Sequence, residues 1–244
     1  MIFVGIDDTD NAEQGGTGRV AREIAEALAA DFTVLGVSRH QLLVDDRVPY
    51  TSNNSCNVIH LVNDKVDLVE LADRIAPLLV ERCLVGSDPG LCVADERVAD
   101  LPFGRATQTE LVTQTQALAL AEELAVTLRP LGGTGDGVIG ALAGVMLAAG
   151  GNDGRFVAVG RSRDLEGVVS VETLTAAGVS SVRTPEGAMI VTGLVDTNDG
   201  RVRPVLRDHH AVLLVESSGE GSWRVVEQGK GGAKRRKERE SCSP

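Results

Sequence analysis

The sequence predicts an α/β (α+β) chain, a mixed-sheet domain with a buried glycine-rich helix followed by a smaller β-rich lobe. Three observations predict it. The apolar run Ile2 to Ile6 stops at Asp7-Asp8-Thr9-Asp10, then a glycine loop leads into an amphipathic helical pattern. The segment Val138 to Ala149 is apolar on every side, which fits a helix in the middle of a domain. From about Asp164 the chain changes to short β-like runs separated by turn residues.

Taken in order, Ile2 to Ile6 reads as a buried strand that delivers acidic groups at its carboxyl end. Gly15-Gly16-Thr17-Gly18 follows, then a helix from about Arg19 to Ala30 with Val20, Ile24, Ala27 and Leu28 on one face. Strands are expected at Thr33 to Ser38 and Cys56 to Val62. A helix from Asp67 to Glu81 starts with a box-like Asp67 and Glu70 spacing, and Pro77 should bend or split it. Asp88-Pro89-Gly90 signals a turn before a strand at Leu91 to Val93. Thr107 and Glu110 open a helix that should reach Leu128, where Pro130 ends it.

After the loop Leu131 to Gly137 comes the apolar helix, in which Gly140, Gly144 and Ala148 form a flat stripe suited to close approach. A strand returns at Phe156 to Val159. The later runs are Val168 to Val171, Ala188 to Val195, Val202 to Leu206, Ala211 to Glu216 and Trp223 to Val226, with turns at 198–200 and 218–221. This divides the chain into a domain at 1–161, a β-rich lobe at 162–228 and a basic tail at 229–244. The tail lacks apolar anchors, so disorder is expected there.

Composition narrows the function. The chain has 244 residues with 43% hydrophobic and only 2% aromatic, so its core is aliphatic and a base-stacking platform for single strands is hard to build. Net charge is -11, and the tail is basic, which leaves the body near -15. Such a body repels phosphodiesters at long range unless one face is locally basic, and a small-molecule substrate is favoured. No run is long enough to span a membrane, and Met1-Ile2-Phe3-Val4 shows no signal-peptide pattern, so a cytoplasmic location is expected. Cys56, Cys83, Cys92 and Cys242 form no C-x-x-C pair and read as reduced thiols; a homo-oligomer is compatible with the sequence.

Asp7, Asp8 and Asp10 are a hard-oxygen set of the kind Mg²⁺ prefers, although a polar turn at a strand end explains them about as well. Alternation sends Asp7 to one face and Asp8 and Asp10 to the other, so one ion should take a subset. Thr17, between Gly16 and Gly18 at a helix start, has anion-site geometry, with an ordinary N-cap threonine as the plainer reading. The tetrapeptide recurs as Gly132-Gly133-Thr134-Gly135 before Asp136-Gly137, and two cradles suit a polyphosphate; a hairpin linker is the alternative. Gly135 to Gly140 matches G-x-G-x-x-G but does not follow a strand, and neither loop ends in G-K-[ST]. The polar stretch Pro49 to Ser55 suits a substrate-facing loop or a surface turn. Arg39-His40 is a weak site candidate.

Gly5-Ile6-Asp7-Asp8-Thr9-Asp10, then Gly16-Thr17, then Gly135-Asp136-Gly137 running into Val138 to Ala143, resembles the N-terminal kinase-like part of the archaeal agmatinylcytidine (agmatidine) synthetase family of isoleucine tRNA. Weaker echoes occur at Pro49-Tyr50, Asp88-Pro89-Gly90, Phe103 to Ala106, Asp153, Arg161 and Pro204 to Leu206, and the likeness covers about residues 1–161. That family uses ATP to phosphorylate an anticodon cytidine carbonyl, and agmatine displaces the phosphate.

The resemblance implies that Asp7, Asp8 and Asp10 hold Mg²⁺ with the triphosphate. It implies that Thr17 contacts phosphate or is transiently phosphorylated, and that Gly15, Gly16, Gly18 and the loop of Gly133, Thr134, Gly135, Asp136 and Gly137 complete the pocket. Two departures bear on the substrate. A basic family loop reads Thr51-Ser52-Asn53-Asn54 here, and glycine-arginine-glycine becomes Gly135-Asp136-Gly137. The lost positive charge disfavours tRNA. The expected function is therefore an ATP- and Mg²⁺-dependent phosphotransferase or synthetase that activates a small carbonyl or hydroxyl compound. A tRNA cytidine-modifying enzyme needing a partner for tRNA, and a non-catalytic nucleotide-binding regulator, are the alternatives.

Overall fold

A computed structural model of the chain describes residues 1–10, 16–48, 53–62, 66–198, 200 and 202–226. Gly15, the Pro49 to Ser52 half of the polar stretch and the tail lie outside the described residues.

The first apolar run forms β1 (Ile2–Asp7), whose residues are buried through Ile6. It lies between two antiparallel neighbours, β3 (Ser55–Val62) and β4 (Gly90–Asp95), so Ile6 faces Asn57 on one side and Leu91 on the other. Beyond β3 come β2 (Thr33–Gln41) and β6 (Arg155–Val159), both antiparallel to their neighbours. At the other edge β5 (Thr127–Pro130) pairs with β4.

Helices cover both faces. α1 (Thr17–Leu28) and α2 (Leu68–Arg82) close one aliphatic core over Ile6, Ile24, Leu28, Ile75 and Leu91. On the opposite face α3 (Pro102–Thr109), α4 (Gln114–Glu123) and α5 (Gly137–Ala149) pack on Phe3, Val58 and Cys92. α5 is buried along almost its whole length, as its all-round apolar pattern predicts. Truncating a residue such as Leu142 here should destabilise by about 2–5 kcal/mol.

The chain then turns β-rich, with β7 (Val168–Ser170), β8 (Ser181–Arg183), β9 (Met189–Ile190), β10 (Leu194–Asp196), β11 (Val205–Arg207), β12 (His210–Gly219) and β13 (Ser222–Val225). β11 pairs with both β6 and β12 and so continues the first sheet into this region. Leu174, Val182, Val195, Leu213 and Val215 form its own core. The sheet order is β5-β4-β1-β3-β2-β6-β11-β12-β13-β10-β7, with parallel pairs only between β12 and β8 and between β10 and β13, a mixed sheet. Among the described residues, no helix is long and apolar enough to cross a membrane.

Several elements differ from the sequence expectation. The helix expected from Thr107 to Leu128 is two helices, because α3, which contains Thr107, ends at Thr109, and Thr113 with Gln116 builds a full capping box for α4. Ala125, at φ 51°, then releases the chain into an edge strand, and Pro130 ends that strand, where a missing N–H is tolerated. α2 runs unbroken past Pro77, and Asp67 caps it by accepting from the N–H groups of Val69 and Glu70. The run Ala188 to Val195 divides into β9 and β10. Val171 opens a short helix, α6 (Val171–Ala176), capped by Ser170.

Candidate functional site

The carboxyl end of β1 opens into a cleft of about 990 Å³. Asp7 leaves toward α5 and its carboxylate lies against Gly140. Asp8 takes a left-handed backbone at φ 52°, which ends the strand. Asp7, Asp8 and Asp10 all line the cleft. Burial, then the neighbouring Asp8, pushes the Asp7 carboxyl up to about 7. Burial, then Asp88, raises Asp8 as well. These carboxylates crowd one another in a site that disfavours their charge. Among the described residues no three His, Cys, Asp or Glu side chains form a preassembled metal group, so an ion here would draw most of its ligands from phosphate and water.

The two repeated glycine loops take different roles. At the first, Gly16 is the N-cap of α1 and contributes no side chain, with its carbonyl accepting from the Arg19 N–H at 2.8 Å. Thr17 is thus the first helical residue rather than the cap. It is 7% exposed and lines the cleft beside Gly16 and Gly18. Close to Gly18 lies Asn57, 2% exposed, whose Oδ1 has no hydrogen-bond partner among the described residues. A buried polar atom without a partner, next to an uncapped helix start, is the local signature of a place built for a ligand.

At the second loop the cradle is already filled. The Thr134 N–H and hydroxyl both donate to the Asp88 carboxylate, at 2.6 and 2.9 Å, and the Gly137 N–H donates to the Asp88 carbonyl at 3.2 Å. The next two α5 amides bond back to Gly135 and Asp136. Gly133, Thr134 and Gly135 do not line the cleft, whereas Asp136 and Gly137 do. The sequence expectation of a second open anion cradle is corrected here: an internal carboxylate occupies it. Asp88 was legible only as a turn residue and a family echo, because its partner lies 46 positions away.

Basic side chains line the cleft as well. Arg22, Arg39, Arg163 and Arg203 line the same cleft, as do Asn53, Asn54 and Ser55 of the polar stretch. Sequence reasoning missed Arg22, Arg163 and Arg203, which come from α1, the turn at Ser162–Asp164 and the segment before β11 and meet only in the folded chain. Arg39 reaches the cleft. His40 points to the other face, where Ser38 Oγ lies 2.7 Å from both His40 Nε2 and His60 Nε2 and Asp153 accepts at His40 Nδ1. This has the residue order of a hydrolytic triad, but Ser38 is 0% exposed and no substrate can reach it.

No protein-family profile and no curated protein sequence matches the chain. Solved structures do. A tRNA fluorescent labeling enzyme matches at 27% identity and TM-score 0.53, covering 59% of this chain and 35% of that one. The TiaS-tRNA(Ile2)-ATP complex matches at 27% and 0.53 with the same coverage, and the TiaS-tRNA(Ile2)-AMPCPP-agmatine complex at 26% and 0.52, covering 59% and 36%. The match thus spans about a third of the length of these relatives. TiaS is tRNAIle2 agmatidine synthetase, so the family resemblance read from the acidic strand end and the glycine loops is shown in three dimensions.

Proposed function

We propose that the cleft binds ATP with Mg²⁺ and activates a carbonyl or hydroxyl on a second substrate, as a phosphotransferase or synthetase. One observation carries this reading: Asp8, Thr17 and the Asp136-Gly137 pair, far apart in sequence, line a single cleft. The solved relatives with ATP or AMPCPP bound support the nucleotide.

The residues present fit the metal. Asp8 and Asp10 are hard oxygen donors at the cleft, and the crowding that raises Asp7 and Asp8 is what a nearby divalent cation offsets. When bound, Mg²⁺ supplies charge neutralisation to the phosphates. The chain's own groups do the rest. The start of α1 presents backbone N–H groups to an anion, and Asn57 is buried beside it. Thr17 places a hydroxyl where it contacts a phosphate or accepts a phosphoryl group. The arginine wall draws in anionic substrate against the repulsion of the acidic body.

A small molecule is the acceptor that the net charge favours. A tRNA cytidine is the second reading, supported by the arginine wall and by the tRNA-bound relatives. Incubation with γ-labelled ATP and Mg²⁺, with and without tRNA, separates them. Turnover without RNA supports a small-molecule acceptor, and turnover only with tRNA supports modification. Protection by ATP against unfolding with no product marks a non-catalytic nucleotide-binding protein. Absence of any ATP effect on thermal unfolding sinks the reading.

A further inference from the structure

One row of the sheet runs across five strands, pairing Leu91 with Ile6, Ile6 with Asn57, Asn57 with Arg39 and Arg39 with Arg155. Its character changes along the way. Leu91 and Ile6 lie in the core under α1 and α2, and Asn57 lies beside the start of α1. Past that point helix cover ends, because β6 packs on strands and on the single turn at Ser162–Asp164. There two half-buried arginines stand directly opposite each other, and burial, then the charge of Arg203 just before β11, lowers the pKa of both.

Like charges directly opposed on neighbouring strands are destabilising, and the chain carries many carboxylates with which to answer them. It does not. Among the described residues no carboxylate lies within salt-bridge distance of Arg39, Arg155 or Arg203. Arg39 Nε donates to Ser55 Oγ at 2.9 Å, and the charge of Asp10 reaches Arg39 but ranks below the repulsion from Arg203. Guanidinium forks of this kind match a phosphate from solution.

We propose that Arg39, Arg155 and Arg203 form a phosphate site for a second substrate, separate from the nucleotide phosphates at the ends of β1 and α1. Arg39 and Arg203 line the same cleft as Asp8 and Thr17, but β6, which carries Arg155, is three strand spacings from β1, about 14 Å, so one short anionic group does not reach both Arg155 and the end of β1. The ligand is a phosphate-bearing nucleotide, either free or within an RNA strand. The word second rests on the nucleotide reading above; the anion site itself does not.

The test uses the full chain and calorimetric titration at low salt with a nucleoside 5′-monophosphate, the same nucleoside without phosphate, a short RNA hairpin and ATP with Mg²⁺. The variants are Arg155→Gln and Arg155→Ala, at a half-buried position that does not line the nucleotide cleft. The wild type should bind the monophosphate and not the nucleoside. Each variant should weaken the monophosphate or hairpin at least about tenfold while holding ATP affinity within about twofold. Ligand-free Arg155→Gln should also melt higher than the wild type, because the repulsion from Arg39 is gone.

A hairpin bound about tenfold tighter than the monophosphate, still through these arginines, identifies RNA as the source; equal binding identifies a free nucleotide. Equal affinity of wild type and variants for the monophosphate and hairpin overturns the site, as does failure of both probes to bind the wild type. Loss of ATP affinity in step with the monophosphate assigns the arginines to the nucleotide and overturns it too. Arginine-dependent monophosphate binding without any ATP binding retains the site and removes the nucleotide reading instead.

Discussion

Gly140 on α5 stands directly against Asp7 at the end of β1: a Cβ on Gly140 would overlap the carboxylate and come within 2.6 Å of its Cγ. The small residue thus sets where a charged group of the cleft can stand. Gly140→Ala should displace Asp7 and abolish the stabilisation by ATP with Mg²⁺. Gly144 is the control on the same stripe, since its Cβ would meet Cys56 Sγ at 2.8 Å and Val58 Cγ2 at 3.0 Å, both in the core. Gly144→Ala should lower stability by about 1–3 kcal/mol in urea unfolding and leave nucleotide affinity unchanged. Equal loss of nucleotide affinity in both variants would break the link between Gly140 and Asp7.

Asp7 gives the ligand-free protein a pH dependence of definite sign. Its folded pKa of about 7 lies above the ordinary carboxylate value, raised first by burial and then by Asp8, so the folded state holds the proton more tightly than the unfolded chain. Its contribution is complete below about pH 4 and is lost as pH rises through 7. Asp7→Asn should therefore be the more stable protein at about pH 9, by on the order of 2 kcal/mol because the cleft leaves the carboxyl partly in water, with the gap closing at about pH 4. A stability difference that does not change across that range would show that Asp7 is already ionised.

His60 acts in the opposite direction. Burial, then His40 and His209, lowers its pKa to about 3, below the unfolded value. Stability from the neutral ring is complete above about pH 6.5 and falls as pH drops toward the folded value, by about 3 kcal/mol at pH near 4. Ser38 has one hydroxyl proton for two ring nitrogens, so at least one of the rings donates to it. His60→Gln should flatten this acid limb in denaturant titrations. Ser38→Ala should destabilise by about 1–3 kcal/mol without changing ATP affinity. A change in affinity there would tie the buried network to the cleft.

Thr17 offers a hydroxyl at the first position of α1, where the helix has no side-chain cap. Thr17→Ala should reduce phosphoryl transfer by on the order of a hundredfold while ATP binding stays near wild type, and Thr17→Ser should restore much of the rate. Equal rates in Thr17→Ala and wild type would leave Thr17 a packing residue.

What was legible in the sequence was local. β1, α1 and α5 follow from apolar runs bounded by carboxylates and glycines, and the helix apolar on every side is the buried one. The helix expected through Leu128 was not, because its alanine-rich pattern hides the break that Thr113 caps and the edge strand that ends at Pro130. At the site, Asp8 and Thr17 were visible as motifs. Arg39 was visible only as a weak candidate and Asp88 only as a turn and a family echo, and Asn57, Arg22, Arg163 and Arg203 were not visible, since these residues take their meaning from distant partners: Asn57 from α1, Asp88 from Thr134, Arg39 from Arg155. A tetrapeptide repeated twice carries no sign that one copy is open and the other filled.

That difference yields the last prediction. Asp88 holds the Thr134 N–H and hydroxyl as a phosphate would, and its charge also raises the pKa of Asp8. Removing the carboxylate does three things at once. It strands two donors in the second loop, so Asp88→Ala should destabilise the protein by about 1–3 kcal/mol. It opens a cradle that small anions can then enter, so inorganic phosphate should raise the Tm of Asp88→Ala more than that of the wild type. It also relieves Asp8, whose pKa should move down toward the ordinary carboxylate range in a titration followed by carboxyl NMR. Thr134→Val separates these effects, because it deletes the hydroxyl donor but leaves the charge of Asp88 in place. That variant should lose stability without gaining phosphate sensitivity or shifting Asp8. If Thr134→Val and Asp88→Ala respond alike to phosphate, the carboxylate is not what fills the second cradle.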